Sequence, residues 1–232
     1  KLQKGVQDIM QKYTGVAIIA DVNSGEVLSA VSWPSFNPNM KLQINNSHQN
    51  HFFNRLTHGL YPPASTVKPF IAIEALNLNL VKANTTINDP GHWDTPNHSH
   101  RYHDWLRSGH GKVNLRKAIA ISCDTYFYQL AEKMGAYNLF HAMQNFSLGI
   151  KTGIELPGEK EGLIPSPDWK KQRGERWYLG DSINIGIGQG STLVTPLQLT
   201  QATLLLASHG NAKQLHLLKA WQDENWQQFT PA

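Results

Sequence analysis

Two β-rich runs, Gly15 to Asp21 and Glu26 to Ser32, are joined by the turn formers Asn23, Ser24 and Gly25, and this pattern predicts a hairpin. Ahead of it, Leu2, Val6, Ile9 and Tyr13 recur at helical spacing and mark an amphipathic first segment. A helix is predicted from Ser65, entered through Pro62 and Pro63 and continued by Phe70, Ile73, Leu76 and Leu80. A second starts near Asn114, where Leu115, Ile119, Ser122, Tyr126 and Leu130 return every three or four residues and set Ser122 on the inward face. Thr195, Pro196 and Gln198 supply an N-cap, an N1 proline and a capping box for a third, which reaches Ser208 with Gly210 past its end.

The polar stretches between these elements are of two kinds. Pro34, Asn37, Pro38 and the run Asn45 to Asn50 predict a long surface loop. Asn84 to Lys112 is a His-rich insertion with Pro90 and Pro96, too irregular for a helix and too long for an ordinary connection. No internal repeat or linker divides the 232 residues, so one domain over 1–232 is expected, and a hydrophobic content of 40% gives it a core. The longest apolar runs, Val16 to Ala20 and Leu204 to Ala207, fall far short of the roughly 18 residues that span a bilayer. Lys1 opens the amphipathic segment without an apolar signal region, which is read as a processing boundary. The net charge of +4 is scattered, with short clusters at Arg116 to Lys117 and Lys170 to Arg176 that no nucleic-acid motif accompanies; they read as solvated surface, with no nucleic-acid partner. A single cysteine, Cys123, excludes an internal disulfide.

A serine hydroxyl is a weak nucleophile at neutral pH and needs a positioned base. Ser65, Thr66, Val67, Lys68 supplies one on the same helix face, provided Lys68 is neutral when it takes the proton. By spacing alone an N-capping serine followed by a solvated lysine is the commoner source of these letters. Two similar-looking triplets are decoys: Ser166, Pro167, Asp168, where the proline would break a helix, and Ser182, Ile183, Asn184, which leads into a glycine-rich turn. That turn, Asn184 to Gly190, lacks the Lys-Ser/Thr ending of a phosphate loop.

Leu60 to Ala64 followed by Ser65, Thr66, Val67, Lys68, Pro69 and Phe70 closely resembles the active-serine segment of penicillin-binding proteins. Ser122, Cys123, Asp124, followed by Thr125, Tyr126, Phe127 and Tyr128, resembles the second motif of the elongation-type, class B members, with Asp124 where Asn is commoner. An ionised Asp124 accepts hydrogen bonds and holds an ammonium but donates none. Lys151, Thr152, Gly153 has the letters of the third motif, yet precedes the glycine-rich segment that it should follow and runs on into Ile154, Glu155, Leu156, Pro157, Gly158, Glu159; it matches a separate turn of the family's fold. The catalytic third motif, with its oxyanion donor and carboxylate anchor, is then expected beyond Ala232.

The resemblance implies an α/β fold of the β-lactamase/transpeptidase type, an antiparallel sheet flanked by helices and incomplete at the C-terminus. It implies a D,D-transpeptidase in which Ser65, Lys68, Ser122 and Asp124 form a serine acyl-enzyme on the D-Ala-D-Ala end of a peptidoglycan stem peptide, β-lactams acylating the same serine. It also implies a membrane-anchored full-length protein on the periplasmic face of the bacterial inner membrane, working with cell-elongation partner proteins. A β-lactamase or D,D-carboxypeptidase, with water as acceptor, and a non-catalytic penicillin-binding sensor are the alternatives. Catalysis requires no cofactor in this reading. For Cys123 the residues leave two options, a small buried hydrophobe or a zinc ligand, with His92, His98, His100 and His103 as competing partners. The resemblance favours a structural zinc on Asp89, Asp104, His110 and Cys123.

Overall fold

A computed structural model describes residues 1–37, 39, 51–211 and 213–218. The described residues fall into two compact units, one drawn from Lys1–Tyr61, Ser147–Gly162 and Val194–Ala232, the other from Pro62–Phe146 and Leu163–Leu193.

In the first unit, β1 (Gly15–Ala20) and β2 (Val27–Trp33) pair antiparallel from Gly15 opposite Trp33, with a register shift at Ile19/Ala20. The predicted hairpin is present. Its turn is fixed by Asp21, whose carboxylate accepts from the Asn23 and Ser24 N–H groups at 3.0 and 2.8 Å. Helix α1 (Leu2–Met10) packs on β2, with Gln3 accepting from the Ser29 hydroxyl at 2.9 Å. Helix α7 (Pro196–Ala207) packs on β1; the Thr195 hydroxyl accepts from the Gln198 N–H and the Gln198 amide from the Thr195 N–H, as its capping box predicts. Past its end the chain turns through two residues of positive φ, His209 at 54 and Gly210 at 91. Leu56, Ile154, Leu197, Leu204 and Leu215 form the buried cluster. Of the expected surface loop, residues 38 and 40–50 lie outside the described residues.

In the second unit a 3-10 turn, Ala64–Val67, leads into α2 (Lys68–Asn77). Of the apolar residues whose spacing continues this helix, Phe70 is buried but Ile73 and Leu76 are exposed, because steps of three residues fall about 60° short of a turn and drift off the face; the buried face of α2 is Phe70, Ile71, Ala72 and Ala75, and Leu80 lies beyond the helix, exposed. The His-rich insertion is built from four short strands, β3 (Thr86–Asp89) with β6 (Gly111–Asn114) and β4 (His92–Asp94) with β5 (Arg101–His103). The single helix expected from Asn114 is two, α3 (Leu115–Ala120) and α4 (Asp124–Gln144), the latter kinked at Gly135. Ser122 therefore lies on no helix face. Pro167 opens α5 (Pro167–Gln172) instead of breaking a helix, with the Ser166 hydroxyl accepting from the Trp169 N–H at 3.1 Å. Ser182 and Asn184 lie within α6 (Leu179–Gly186), which packs on α4 so closely that a methyl on Gly186 would meet the Ala131 Cβ at 2.5 Å.

Candidate active site and metal cluster

Ser65 sits in the 3-10 turn, and the Lys68 N–H donates to its carbonyl. At three residues per turn, side chains i and i+3 line up, so Lys68 rises directly behind Ser65. Lys68 is 1% exposed, unusual for a lysine, and its ammonium donates to the Ser122 carbonyl at 2.9 Å, the Ser122 hydroxyl at 3.1 Å and Asp124 Oδ1 at 2.6 Å. The Phe127 ring centroid lies 5.3 Å from the same nitrogen. Lys68, Ser122 and Asp124 are thus one hydrogen-bonded group, with Ser65 on the turn before it.

The Ser122 side of this group comes from the way α3 ends. The Ser122 N–H donates to the Ile119 carbonyl and the Cys123 N–H to the Ala118 carbonyl, a Schellman arrangement with Ser122 in the left-handed position at φ 56. Glycine usually occupies that place. Ala64, immediately before the nucleophile, is also left-handed, at φ 50. Each such residue costs of order 1–3 kcal/mol, and strain of this kind collects where function over-determines the backbone. The glycine-rich segment explains how Ala64 is held: its N–H donates to the Gly188 carbonyl at 2.9 Å, and a Cβ on Gly188 would meet the Ala64 carbonyl oxygen at 2.2 Å. Only glycine fits there. Composition could not show this contact, although the sequence had drawn attention to the segment itself.

Cys123 stands between Ser122 and Asp124 but joins another cluster. Asp89, Asp104, His110 and Cys123 offer ligand atoms that all lie within 4.8 Å of one another. Asp89, Asp104 and Cys123 are buried, and the His110 side chain nearly so. Asp89 Oδ2 stands 2.7 Å from His110 Nδ1 and accepts from the His110 N–H at 3.0 Å, while Asp104 Oδ1 stands 3.6 Å from the same ring nitrogen. Burial opposes ionisation of Asp89, but hydrogen bonds from the Gly91 N–H and from His110 hold its carboxyl below the usual range. Burial pushes the Cys123 thiol well up. His92, His98, His100 and His103 are not part of the cluster.

Asp104 has a further job that sequence reasoning missed: its Oδ2 accepts from the Thr125 N–H at 3.0 Å and caps α4, whose own N-cap residue, Cys123, provides no such bond. Trp105 adds a second tether, donating to the Ile121 carbonyl at 3.1 Å. The insertion is thereby fastened to the turn that carries Ser122.

Lys151, Thr152 and Gly153 are closed on their own chain. Glu159 accepts from the Thr152 N–H, the Thr152 hydroxyl and the Gly153 N–H at 2.7 to 3.0 Å, and none of the three residues lies in a strand.

These features agree with what the chain is similar to. Residues 15–232 match the family model described as the penicillin binding protein transpeptidase domain, and the chain belongs to that family. It is 43% identical over 216 residues to the peptidoglycan D,D-transpeptidase MrdA of Acinetobacter baumannii, covering 89% of this chain and 32% of the relative. Against MrdA of Escherichia coli K12 the identity is 38% over 237 residues, covering 98% and 37%. Among solved structures, Pseudomonas aeruginosa PBP2 in complex with WCK 5153 superposes with a TM-score of 0.88 at 39% identity, over 93% of this chain and 49% of that one. Helicobacter pylori PBP2 in complex with MreC gives 0.87 at 34% identity, over 93% and 42%. The chain spans about a third of the length of these curated relatives. The resemblance read from the two serine motifs, and the transpeptidase-like fold expected from it, are borne out.

Proposed function

We propose that this chain carries the nucleophilic part of a peptidoglycan D,D-transpeptidase of the elongation type. The observation that supports it most is the buried Lys68 bonded to Ser122 and Asp124 one 3-10 step behind Ser65. Ser65 Oγ attacks the carbonyl carbon of the penultimate D-Ala of a stem peptide. To take the hydroxyl proton Lys68 must first give one up, and the Asp124 carboxylate, which accepts from its ammonium at 2.6 Å, is the group placed to receive it. Collapse of the tetrahedral intermediate breaks the amide, and the leaving D-Ala amine takes the proton that Lys68 accepted from Ser65. An amine of a neighbouring strand then attacks the acyl-enzyme, and Ser65 leaves and is reprotonated. The substrate sets the location, the periplasmic face of the inner membrane, and the MreC complex of the Helicobacter pylori relative supports an elongation partner; among the described residues no helix is long and apolar enough to cross a membrane.

The test is labelling of the full-length protein with a fluorescent penicillin and mapping of the adduct by mass spectrometry. Label on Ser65, lost in Ser65→Ala, is expected; label on another serine would overturn the assignment. A long-lived adduct separates the transpeptidase from a β-lactamase, which would turn it over. Transfer to an added amine separates it from a sensor.

Asp89, Asp104, His110 and Cys123 are read as a structural zinc site. Two carboxylates, an imidazole and a sulfur suit that ion, and His110 Nε2 is buried without a hydrogen-bond partner. Four protein ligands leave no position for a reacting water, and the ion's part is to hold the Cys123 thiolate and fix the insertion against α4. A zinc-edge absorption scan of native protein should show one ion per chain; none bound would remove the reading.

A further inference from the structure

The insertion carries a second set of potential ligands on the β4–β5 hairpin. His92 lies directly opposite His103 in the register. The Thr95 N–H donates to the His100 carbonyl and the Asp104 N–H to the Gly91 carbonyl, so the 95/100 and 91/104 pairs are the hydrogen-bonded ones. By alternation 92/103 is a non-hydrogen-bonded pair, the kind in which facing side chains stand closest. The two rings are 6.3 Å apart between centroids, and among the described residues neither ring makes a hydrogen bond. His103 is exposed and His92 partly so. The scaffold beneath them is packed: on the other face of the hairpin Trp93 packs on Tyr102 and Tyr102 on Tyr128, and the Tyr128 hydroxyl donates to the His103 carbonyl at 3.1 Å.

We propose that His92 and His103 form a surface chelate for a late first-row divalent metal such as Ni²⁺ or Cu²⁺, separate from the buried cluster. Two imidazoles on one metal at ordinary bond lengths bring their ring centroids to roughly 5 Å, close to the 6.3 Å at which the rings already stand. Imidazole nitrogen selects these metals over Mg²⁺ and Ca²⁺. The charges nearby do not favour hard cations either, because Asp94, on the same face, is already bound by Arg101 at 2.6 and 2.9 Å, and Arg107 adds positive charge beside His103. His98 and His100, in the hairpin loop, are outside the pair, since His98 leans toward Asp94 and His100 packs edge-on to Tyr102.

The test is a Ni²⁺ titration of the zinc-saturated full-length protein, read by paramagnetic broadening of the imidazole ¹⁵N resonances. His92 and His103 should broaden together at substoichiometric Ni²⁺, before any other histidine. His92→Gln and His103→Gln should each weaken binding about ten-fold or more, as losing a ligand costs at least what losing a supporting contact does. His98→Gln should leave it unchanged. Broadening led by other histidines, or affinity within two-fold of the parent in either single variant, would overturn the proposal. The first reading uses the unaltered protein and does not depend on the variants folding; Ni²⁺ taken up by the buried cluster instead would bind His92→Gln as tightly as the parent, and that result overturns the proposal.

Discussion

Replacing Gly188 by alanine tests whether the glycine-rich segment positions the nucleophile. Gly188 is left-handed at φ 67, where an L side chain costs about 1–2 kcal/mol. The added methyl would also sit 2.2 Å from the Ala64 carbonyl oxygen and 2.8 Å from its carbon, atoms of a backbone that cannot swing aside as a long side chain would. Overpacking of this kind costs about 1–3 kcal/mol, so the expected loss of stability is about 2–5 kcal/mol. Ordinary contact begins near 3.4 Å, and the segment Ala64–Ser65 would have to retreat by about an ångström, a displacement that costs on the order of 10²-fold in rate. Gly174 is the control: it is left-handed at φ 74, but a methyl there meets nothing within 4 Å. Gly174→Ala should therefore lose about 1–2 kcal/mol by the same strain and acylate at the parent rate. Urea unfolding gives the first quantity and the rate of fluorescent-penicillin acylation the second. If Gly188→Ala is destabilised but acylates like the parent, the 188 loop yields rather than Ala64, and the positioning role is refuted.

Ser166→Ala removes the N-cap bond to the Trp169 N–H and should cost about 1 kcal/mol in urea melts while leaving penicillin labelling intact, since Ser166 caps α5. Asp124→Ala strands the ammonium of Lys68 and should cost about 3–5 kcal/mol; Asp124→Asn, whose amide oxygen still accepts, should cost less, and equal losses would show that the carboxylate's charge, not its acceptance of a hydrogen bond, is what holds Lys68. Asp21 gives a pH dependence. Hydrogen bonds from the Ser24 N–H and hydroxyl and the Asn23 N–H hold its carboxyl below the ordinary value. Its contribution is therefore complete above the unfolded value and is lost as pH falls through the lower folded one, below about pH 4. A carboxyl titration by NMR should place Asp21 low; a midpoint at the ordinary value would contradict the turn geometry.

What could be read in advance was local. The hairpin and α7 are specified by residues within a few positions of one another, β-rich runs around Asn23 to Gly25 and the Thr195–Gln198 box, and both formed where predicted. The Ser122 turn was misread because periodicity alone cannot see a break that keeps phase. Leu115, Ser122 and Leu130 satisfy a single helix as well as they satisfy two. What makes it two is non-local: Asp104, twenty-one residues upstream of Thr125, caps the new helix, and Trp105 binds the Ile121 carbonyl. The short insertion strands, three or four residues each, are too brief to show an alternation. Lys68 was found through its motif, and its burial could be argued only from the base it must be, since nothing near it in sequence marks a lysine for the core.

The same turn explains why three consecutive residues serve two sites. A continuous helix would spread Ser122, Cys123 and Asp124 around its axis at about 100° per residue, with the first two on one broad face. Ending α3 with a left-handed Ser122 and starting α4 from an extended Cys123, at φ −64 and ψ 110, makes the segment locally strand-like, and neighbouring side chains then alternate. Ser122 and Asp124 reach Lys68, and Cys123 turns the opposite way to Asp89 and His110. Glycine at 122 would relieve the backbone but remove the hydroxyl that Lys68 binds. The strain at Ser122 is therefore the cost of placing a hydroxyl where the helix end itself would favour no side chain at all.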